Sequence, residues 1–373
     1  MLGLYLHIPF CSAICNYCNF NRGLFQPALK ERYVTALLTE IARAADGAPA
    51  DTIFFGGGTP SLLEPAEIAT IIRACRIAWA LAPDAEITLE ANPETVTPER
   101  LSGFREAGVN RLSYGVQSFR DDELARLSRL HSSGRAVEAF HMARGAGFDN
   151  ISLDLMMWLP QQSVSHWLES VDELIELGPD HASMYLLELY PNAPLRDEMA
   201  RGQWSLAPDD DAAEMYLTGL ARMDAAGYVQ YEISNVARAG RHSRHNMKYW
   251  MDGEWLGFGC GAHSTRAGTR WKNVSSTEDY ITATMNGQSI AAEVRALSSQ
   301  ERLEDALFTG LRLNAGLDLA VMNDRYKVDV WSEYGGELQS FADQGILSYD
   351  GRSLRLTRAG MLLAHEVMAV FIR

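Results

Sequence analysis

Through the first two thirds of the chain, short apolar runs rich in β-branched and aromatic residues alternate with stretches whose apolar positions recur at helical spacing. That alternation predicts repeated βα units, with parallel strands joined by right-handed crossover helices. Strands are predicted at Leu2–Ile8, Thr52–Phe55, Glu86–Leu89, Arg111–Tyr114, Asn150–Leu155 and Ala182–Leu187. Helices are predicted between them at Ala28–Ala44, Pro65–Leu81, Pro98–Ala107, Gly134–Ala146 and Val164–Leu177. Six units are visible, so the expected fold is an α/β sheet or barrel with helices outside, short of the eightfold closed form.

A further helix at Asp210–Ala226 leads into a strand at Tyr228–Ile233 and then a glycine- and aromatic-rich stretch, where the rhythm breaks. From Ser298 the pattern turns helical again (Glu301–Leu313, Leu319–Tyr326, Trp331–Gln344), with a hairpin signal in Gly345–Leu356 and a last helix. The chain therefore divides into residues 1–235, a connecting region 236–297, and a smaller, mainly helical C-terminal domain 298–373. The last has the outline of a winged helix, read as a packing module.

Charge decides against DNA as its partner. The 48 Asp and Glu outnumber 33 Lys and Arg, a formal charge of -15 that disfavours phosphate backbones, so no nucleic-acid partner is expected. No apolar run approaches the roughly 18 residues of a membrane span. Met1–Phe10 has no secretory-signal pattern, so a cytoplasmic location is expected. The five cysteines are an odd number, and Cys11, Cys15 and Cys18 fall close together, which suits a metal centre in a reducing compartment better than a disulfide framework. Cys75, on an amphipathic helix, reads as core.

Those three cysteines stand in a C-x3-C-x2-C spacing directly after the first strand, in YLHIPFCSAICNYCNF. Three thiolates can hold a 4Fe-4S cubane while leaving one iron open to an outside ligand. A structural Cys3His zinc site using His7 is the alternative on spacing alone. Other motifs follow at the C-terminal ends of successive predicted strands: GGGTP (Gly56–Pro60), Glu90 in LEANP, Gln117 in GVQSF, and Asp154. In parallel barrels that rim carries the chemistry. The triple glycine lets a ligand approach the backbone, and the carboxylates can accept hydrogen bonds from ammonium or ribose hydroxyl groups.

These motifs, together with HNMKYW at His245–Trp250, resemble the radical S-adenosylmethionine (SAM) HemN/HemW family over nearly the whole chain. The resemblance implies a partial (β/α)6 barrel, a 4Fe-4S cluster on Cys11, Cys15 and Cys18, and a SAM site using Tyr5, Tyr17, Gly57, Gly58, Thr59, Glu90, Gln117, Arg129 and Asp154. Trp158 departs from it, because many family members have glycine there. The family includes coproporphyrinogen III oxidases, related radical methyltransferases and haem chaperones. Phe20, where the oxidases carry a fourth cysteine, and the few residues ahead of Tyr5 favour the chaperones. The resemblance then makes His245 the expected haem ligand, with Tyr249 and Trp250 against the macrocycle and Arg241 and Arg244 on its propionates. His242, Cys260 and His263 are lesser candidates, and the expected acceptor of the haem is a respiratory or membrane protein.

Overall fold

The structure, a computed structural model, describes residues 1–372. Strand β1 (Leu2–Ile8) buries Leu4, Leu6 and Ile8 on one face and turns Tyr5 and His7 to the other, as a period of two requires. Two short segments, β2 (Phe10–Cys11) and β3 (Gly23–Leu24), then pair in parallel and tie the ends of the cysteine loop together. The βα series continues through α1 (Pro27–Arg43), β4 (Pro49–Gly57), α2 (Pro65–Ala78), β5 (Ala80–Ala91), α3 (Pro98–Ala107) and β6 (Arg111–Gln117). It goes on through α4 (Asp121–Arg126), α5 (Ser133–Gly145), β7 (Ile151–Met157), α6 (Val164–Leu177) and β8 (His181–Leu186). Helix boundaries follow local chemistry. Helix α3 opens on Thr97, whose side chain accepts from the Arg100 amide, and stops at Gly108, whose φ of 107° is open to glycine.

Strands β1, β4, β5, β6, β7 and β8 lie side by side in chain order, all parallel. This is the expected six-unit partial barrel. Helix α2 ends at Ala78 rather than Leu81, because Ala80 and Leu81 already pair with Pro49 and Ala50 in the sheet.

Beyond β8 come α7 (Pro194–Gly202), α8 (Asp209–Ala225), β9 (Val229–Glu232), β10 (Asn235–Ala237) and α9 (Arg244–Trp250). Next, β11 (Trp255–Phe258) lies parallel beside β1, and β12 (His263–Arg266), β13 (Thr269–Asn273) and β14 (Ala291–Ala296) extend the sheet antiparallel. Helix α10 (Thr277–Met285) packs on α1. The region expected to connect two domains therefore belongs largely to a single twelve-stranded sheet, with β14 at one margin and β9 at the other. No barrel closes.

The C-terminal part holds α11 (Ser299–Gly310), β15 (Leu317–Asp318), α12 (Leu319–Tyr326), α13 (Val330–Asp343), β16 (Leu347–Tyr349), β17 (Ser353–Leu356) and α14 (Ala364–Ala369). Its apolar residues, among them Leu307, Leu338 and Phe371, join the main core without a break. Arg312 bridges the parts: it pairs with buried Glu232 at 3.0 Å, and its guanidinium lies 4.4 Å from the centre of the Trp250 ring. Among the described residues no helix is long and apolar enough to cross a membrane.

Candidate functional site

Strand register sets one face of the half-barrel with polar groups. Tyr5 pairs with Phe54, Glu90 with Ser113, Gly115 with Asp154, and Asp154 with Ser183, so these residues share the concave face while the helices cover the other. At the C-terminal ends of the strands this face opens into a cavity of about 350 Å³. Cys11, Cys15, Cys18, Tyr17, Gly57, Gly58, Thr59, Glu90, Gln117, Arg129 and Asp154 all line it. Residues far apart in sequence thus converge, as the rim argument requires.

A continuous set of hydrogen bonds braces two of the thiols. Thr59 Oγ1 lies 3.6 Å from Cys11 Sγ and accepts from Asn92 Nδ2 at 3.2 Å. Arg129 donates to Asn92 Oδ1 at 2.8 Å, to the Gly115 carbonyl at 2.7 Å, and to Cys15 Sγ at 3.4 Å. Donors aimed at sulfur stabilise the thiolate, which is the form that binds metal. Arg129 Nε is a buried donor without a partner. The Cys18 carbonyl accepts from Arg22. Burial raises the thiol pKa of Cys11 and of Cys18, against these donors.

This donor set fits an iron–sulfur cluster. The zinc alternative loses its fourth ligand, because His7 is committed through both ring nitrogens, to the Asn21 carbonyl at 2.7 Å and to the Tyr5 hydroxyl at 3.1 Å. Among the described residues no three His, Cys, Asp or Glu side chains close on a single ion.

On the opposite wall, burial and the neighbouring Asp154 carboxylate push Glu90 up to about 8. Asp154 is raised by burial too, while Arg111 and the serines around it pull the other way. Burial opposes charge on this acid pair, and a cationic guest such as the ammonium and sulfonium of SAM offsets that cost.

The amides of the glycine loop are engaged within the protein. The Gly58 and Thr59 amides are taken by the carbonyls of Ile8 (2.8 Å) and Phe10 (2.7 Å), and the Gly57 amide donates to Glu90 Oε2 at 3.2 Å. The loop therefore docks on the chain just ahead of Cys11. A Cβ on Gly58 would sit 2.7 Å from the Phe10 carbonyl oxygen, and Gly57 has a φ of 113°.

Two expected residues lie away from the cavity wall. Tyr5 hydrogen-bonds His7 and stacks on Phe54, 6.2 Å between ring centres. His245 is buried under the concave face at 1% exposure, with Nδ1 bonded to Thr52 Oγ1 at 2.8 Å and Nε2 to the Tyr249 hydroxyl at 2.9 Å. Glu86 accepts from the Arg244 and His245 amides, each at 3.0 Å, and so fixes the first turn of α9. With both nitrogens engaged inside the protein, His245 is a packing residue, and the expectation of an axial ligand is corrected on that ground. Tyr249 packs edge-on against Trp255, Trp250 lies under Arg312, and Arg241 and Arg244 pair with Asp149 and with Asp51 and Asp84. Cys260 is fully buried, and the His242 ring stacks on Tyr231 at 4.2 Å.

Trp158 is also resolved. Its backbone has a φ of 63°, which explains the glycine common at this position in the family. Its ring turns from the cavity and donates to the Ala207 carbonyl at 2.8 Å. Sequence reading missed Asn92, Ser113 and Tyr185 on the cavity wall. The first lay inside a quoted motif, and strand alternation from Glu90 and Asp154 would have pointed to the others.

Comparison with known proteins agrees with this geometry. The Radical SAM superfamily matches over residues 5–203, and the HemN C-terminal domain over residues 297–363. The heme chaperone HemW of Bacillus subtilis is 36% identical over 376 residues, covering 100% of this chain and 99% of its own length. HemW of Mycobacterium tuberculosis is 37% identical, with 99% and 94% covered. A mitochondrial radical S-adenosyl methionine domain-containing protein 1 of Bos taurus is 37% identical, with 98% and 86% covered. Among solved structures, coproporphyrinogen III oxidase (HemN) from Escherichia coli superposes with a TM-score of 0.87 at 24% identity, covering 99% of this chain and 89% of that one, which shows a shared fold.

Proposed function

The chain belongs to the Radical SAM superfamily and, within it, to the HemW heme chaperone family, and from that premise we propose that it binds haem at the mouth of the cysteine cavity and passes it to an acceptor. Its cofactors are a 4Fe-4S cluster and SAM. Cys11, Cys15 and Cys18 hold the cluster in this reading, and the bound cluster supplies one-electron chemistry to SAM. Glu90 and Asp154 face the cationic end of SAM, Thr59, Gln117 and Arg129 contribute polar contacts, and Tyr17 offers its ring to the adenine.

The observation that carries the haem reading is the rim. Ile14, Phe20, Tyr185, Leu186 and Tyr190 all line the cavity mouth and are all substantially exposed, Phe20 at 64%. Exposed apolar side chains gathered around one opening suit a flat apolar ligand. Arg22 stands on the same rim, able to pair with a propionate. A rim site holds haem near solvent, where a respiratory or membrane protein can take it up.

Haem titration of anaerobically prepared, cluster-loaded protein tests this. About one haem per chain is expected, with Phe20→Asp and Leu186→Asp each weakening binding by roughly tenfold or more, since either carboxylate opposes an apolar contact. Unchanged affinity in both variants, or clear conversion of coproporphyrinogen III with SAM and a strong reductant, overturns the reading.

A further inference from the structure

We propose that Tyr231 and His181, buried deep in the half-barrel, act through Ser152 as positioning residues that hold the Asp154 carboxylate charged toward the cavity. The inference rests on the reading that Asp154 faces bound SAM.

Five groups stand in a row. Ser152 Oγ lies 3.4 Å from Asp154 Oδ1 and 2.8 Å from His181 Nδ1. His181 Nε2 lies 2.8 Å from the Tyr231 hydroxyl, and the Ser243 amide reaches the Tyr231 oxygen at 3.4 Å. Chemistry orders the protons. An ionised Asp154 can only accept, so the Ser152 hydroxyl donates to it, which leaves the Ser152 oxygen to accept from His181 Nδ1–H. A neutral imidazole protonated at Nδ1 accepts at Nε2, and the Tyr231 proton points there. The Ser243 amide can only donate, so it completes the series. Burial, with Arg111 and His242 nearby, holds His181 well below the usual histidine range, and therefore neutral.

Every donor then points toward Asp154, and donors in series polarise one another. The row offsets the burial that favours the acid form. Other groups facing Asp154 are Glu90 from β5, Arg111 and Ser113 from β6, and Ser183 and Tyr185 from β8. Glu90 opposes its charge, Arg111 favours it, and Ser113 is a direct donor at 3.3 Å. None of these explains why the row continues past Ser152. Its far end is Ser243, the N-cap of α9, so the HNMKYW helix is linked to the cavity through four strand residues and one cap.

The test uses full-length, cluster-loaded protein. The Asp154 carboxyl band in the infrared, assigned by its loss in Asp154→Asn, is titrated against pH. Tyr231→Phe keeps the ring under His242 but removes the hydroxyl. It is expected to raise the Asp154 midpoint so that about three to ten times more acid form is present at a given pH, and His181→Gln is expected to do the same. Tyr228→Phe, outside the row, is expected to leave the midpoint in place. A merely structural role would lower the melting temperature without moving the midpoint. The proposal is overturned if the midpoint stays fixed in Tyr231→Phe and His181→Gln while Ser152→Ala shifts it. SAM binding across the same pH range separates the two readings. If Asp154→Asn binds SAM like the parent while the infrared midpoints move, the row stands and the placement of SAM fails.

Discussion

Arg129 Nη1 stands 3.4 Å from Cys15 Sγ, while the other amino group of the same guanidinium is held by Asn92 and Gly115. A cation fixed beside a cluster ligand stabilises the more negative, reduced cluster. Arg129→Met is therefore expected to lower the reduction potential by about 60 mV, the equivalent of about tenfold for one electron. Asn92→Ala is expected to do the same more weakly, by freeing the guanidinium. Redox titration followed by electron paramagnetic resonance checks this; an unchanged potential in Arg129→Met refutes it.

Cluster content is the direct check on the three thiols. Anaerobic protein is expected to hold about four irons and four sulfides per chain. Cys15→Ala is expected to lose most of them, while Cys75→Ala and Cys260→Ala, at fully buried sites away from the cavity, are expected to keep them.

The Glu90 carboxyl, at about 8 without ligand, is mostly protonated at neutral pH. A cation binding beside it favours the ionised form, so a proton must leave. SAM affinity is then expected to rise with pH, by at most about tenfold per unit, and to level off above about 8. Glu90→Gln is expected to flatten most of that slope, measured by anaerobic equilibrium dialysis. The same raised value makes the ligand-free protein lose stability as pH climbs from the ordinary carboxylate range toward about 8, with Glu40, pushed up to about 7 by burial, adding to the trend.

Gly58→Ala is expected to damage more than the SAM site. Its Cβ would meet the backbone of Ile8 and Phe10, which leads straight into Cys11. Loss of about 2 kcal/mol of stability and of part of the iron together is the expected outcome, read by thermal melting and metal analysis. Normal iron content with weakened SAM binding alone would contradict the docking described here.

His245→Ala is expected to cost about 3 kcal/mol, because it leaves a cavity and strands the hydroxyls of Thr52 and Tyr249. Burial holds the imidazole down to about 3, so it stays neutral as pH falls. The stability it supplies is present above the ordinary histidine value of about 6.5 and is lost progressively below it. Any loss of haem binding in this variant should track unfolding, as circular dichroism on the same samples will show.

Much of this arrangement was legible in the sequence. The six parallel strands stood out because short runs rich in β-branched and aromatic residues alternate with stretches at helical spacing. Their C-terminal ends had to share a rim, which brings Cys11, Glu90 and Asp154 to one cavity. Strands β11 to β13 were hidden. They are four or five residues long and separated by glycines, β12 and β13 are largely half-exposed, and only pairing reveals them, β11 beside β1, β12 beside β11 and β13 beside β12. The same blindness affected His245. An aromatic-rich helix reads alike whether it meets a ligand or the underside of a sheet, and only the contacts with Thr52, Glu86 and Tyr249 decide.

The sheet does not close on itself, its β9 margin being tied to the Arg312–Asn314 backbone instead of to β14, and this has a mechanical consequence. A closed ring of strands can widen only by breaking rungs between neighbours, whereas a sheet ending at β14 and β9 can flatten with every rung intact. Its stiffness against flattening comes instead from what is wedged beneath it, and α9, pinned to Glu86 and Thr52, is such a wedge. Widening the half-barrel then costs elastic bending and not broken rungs.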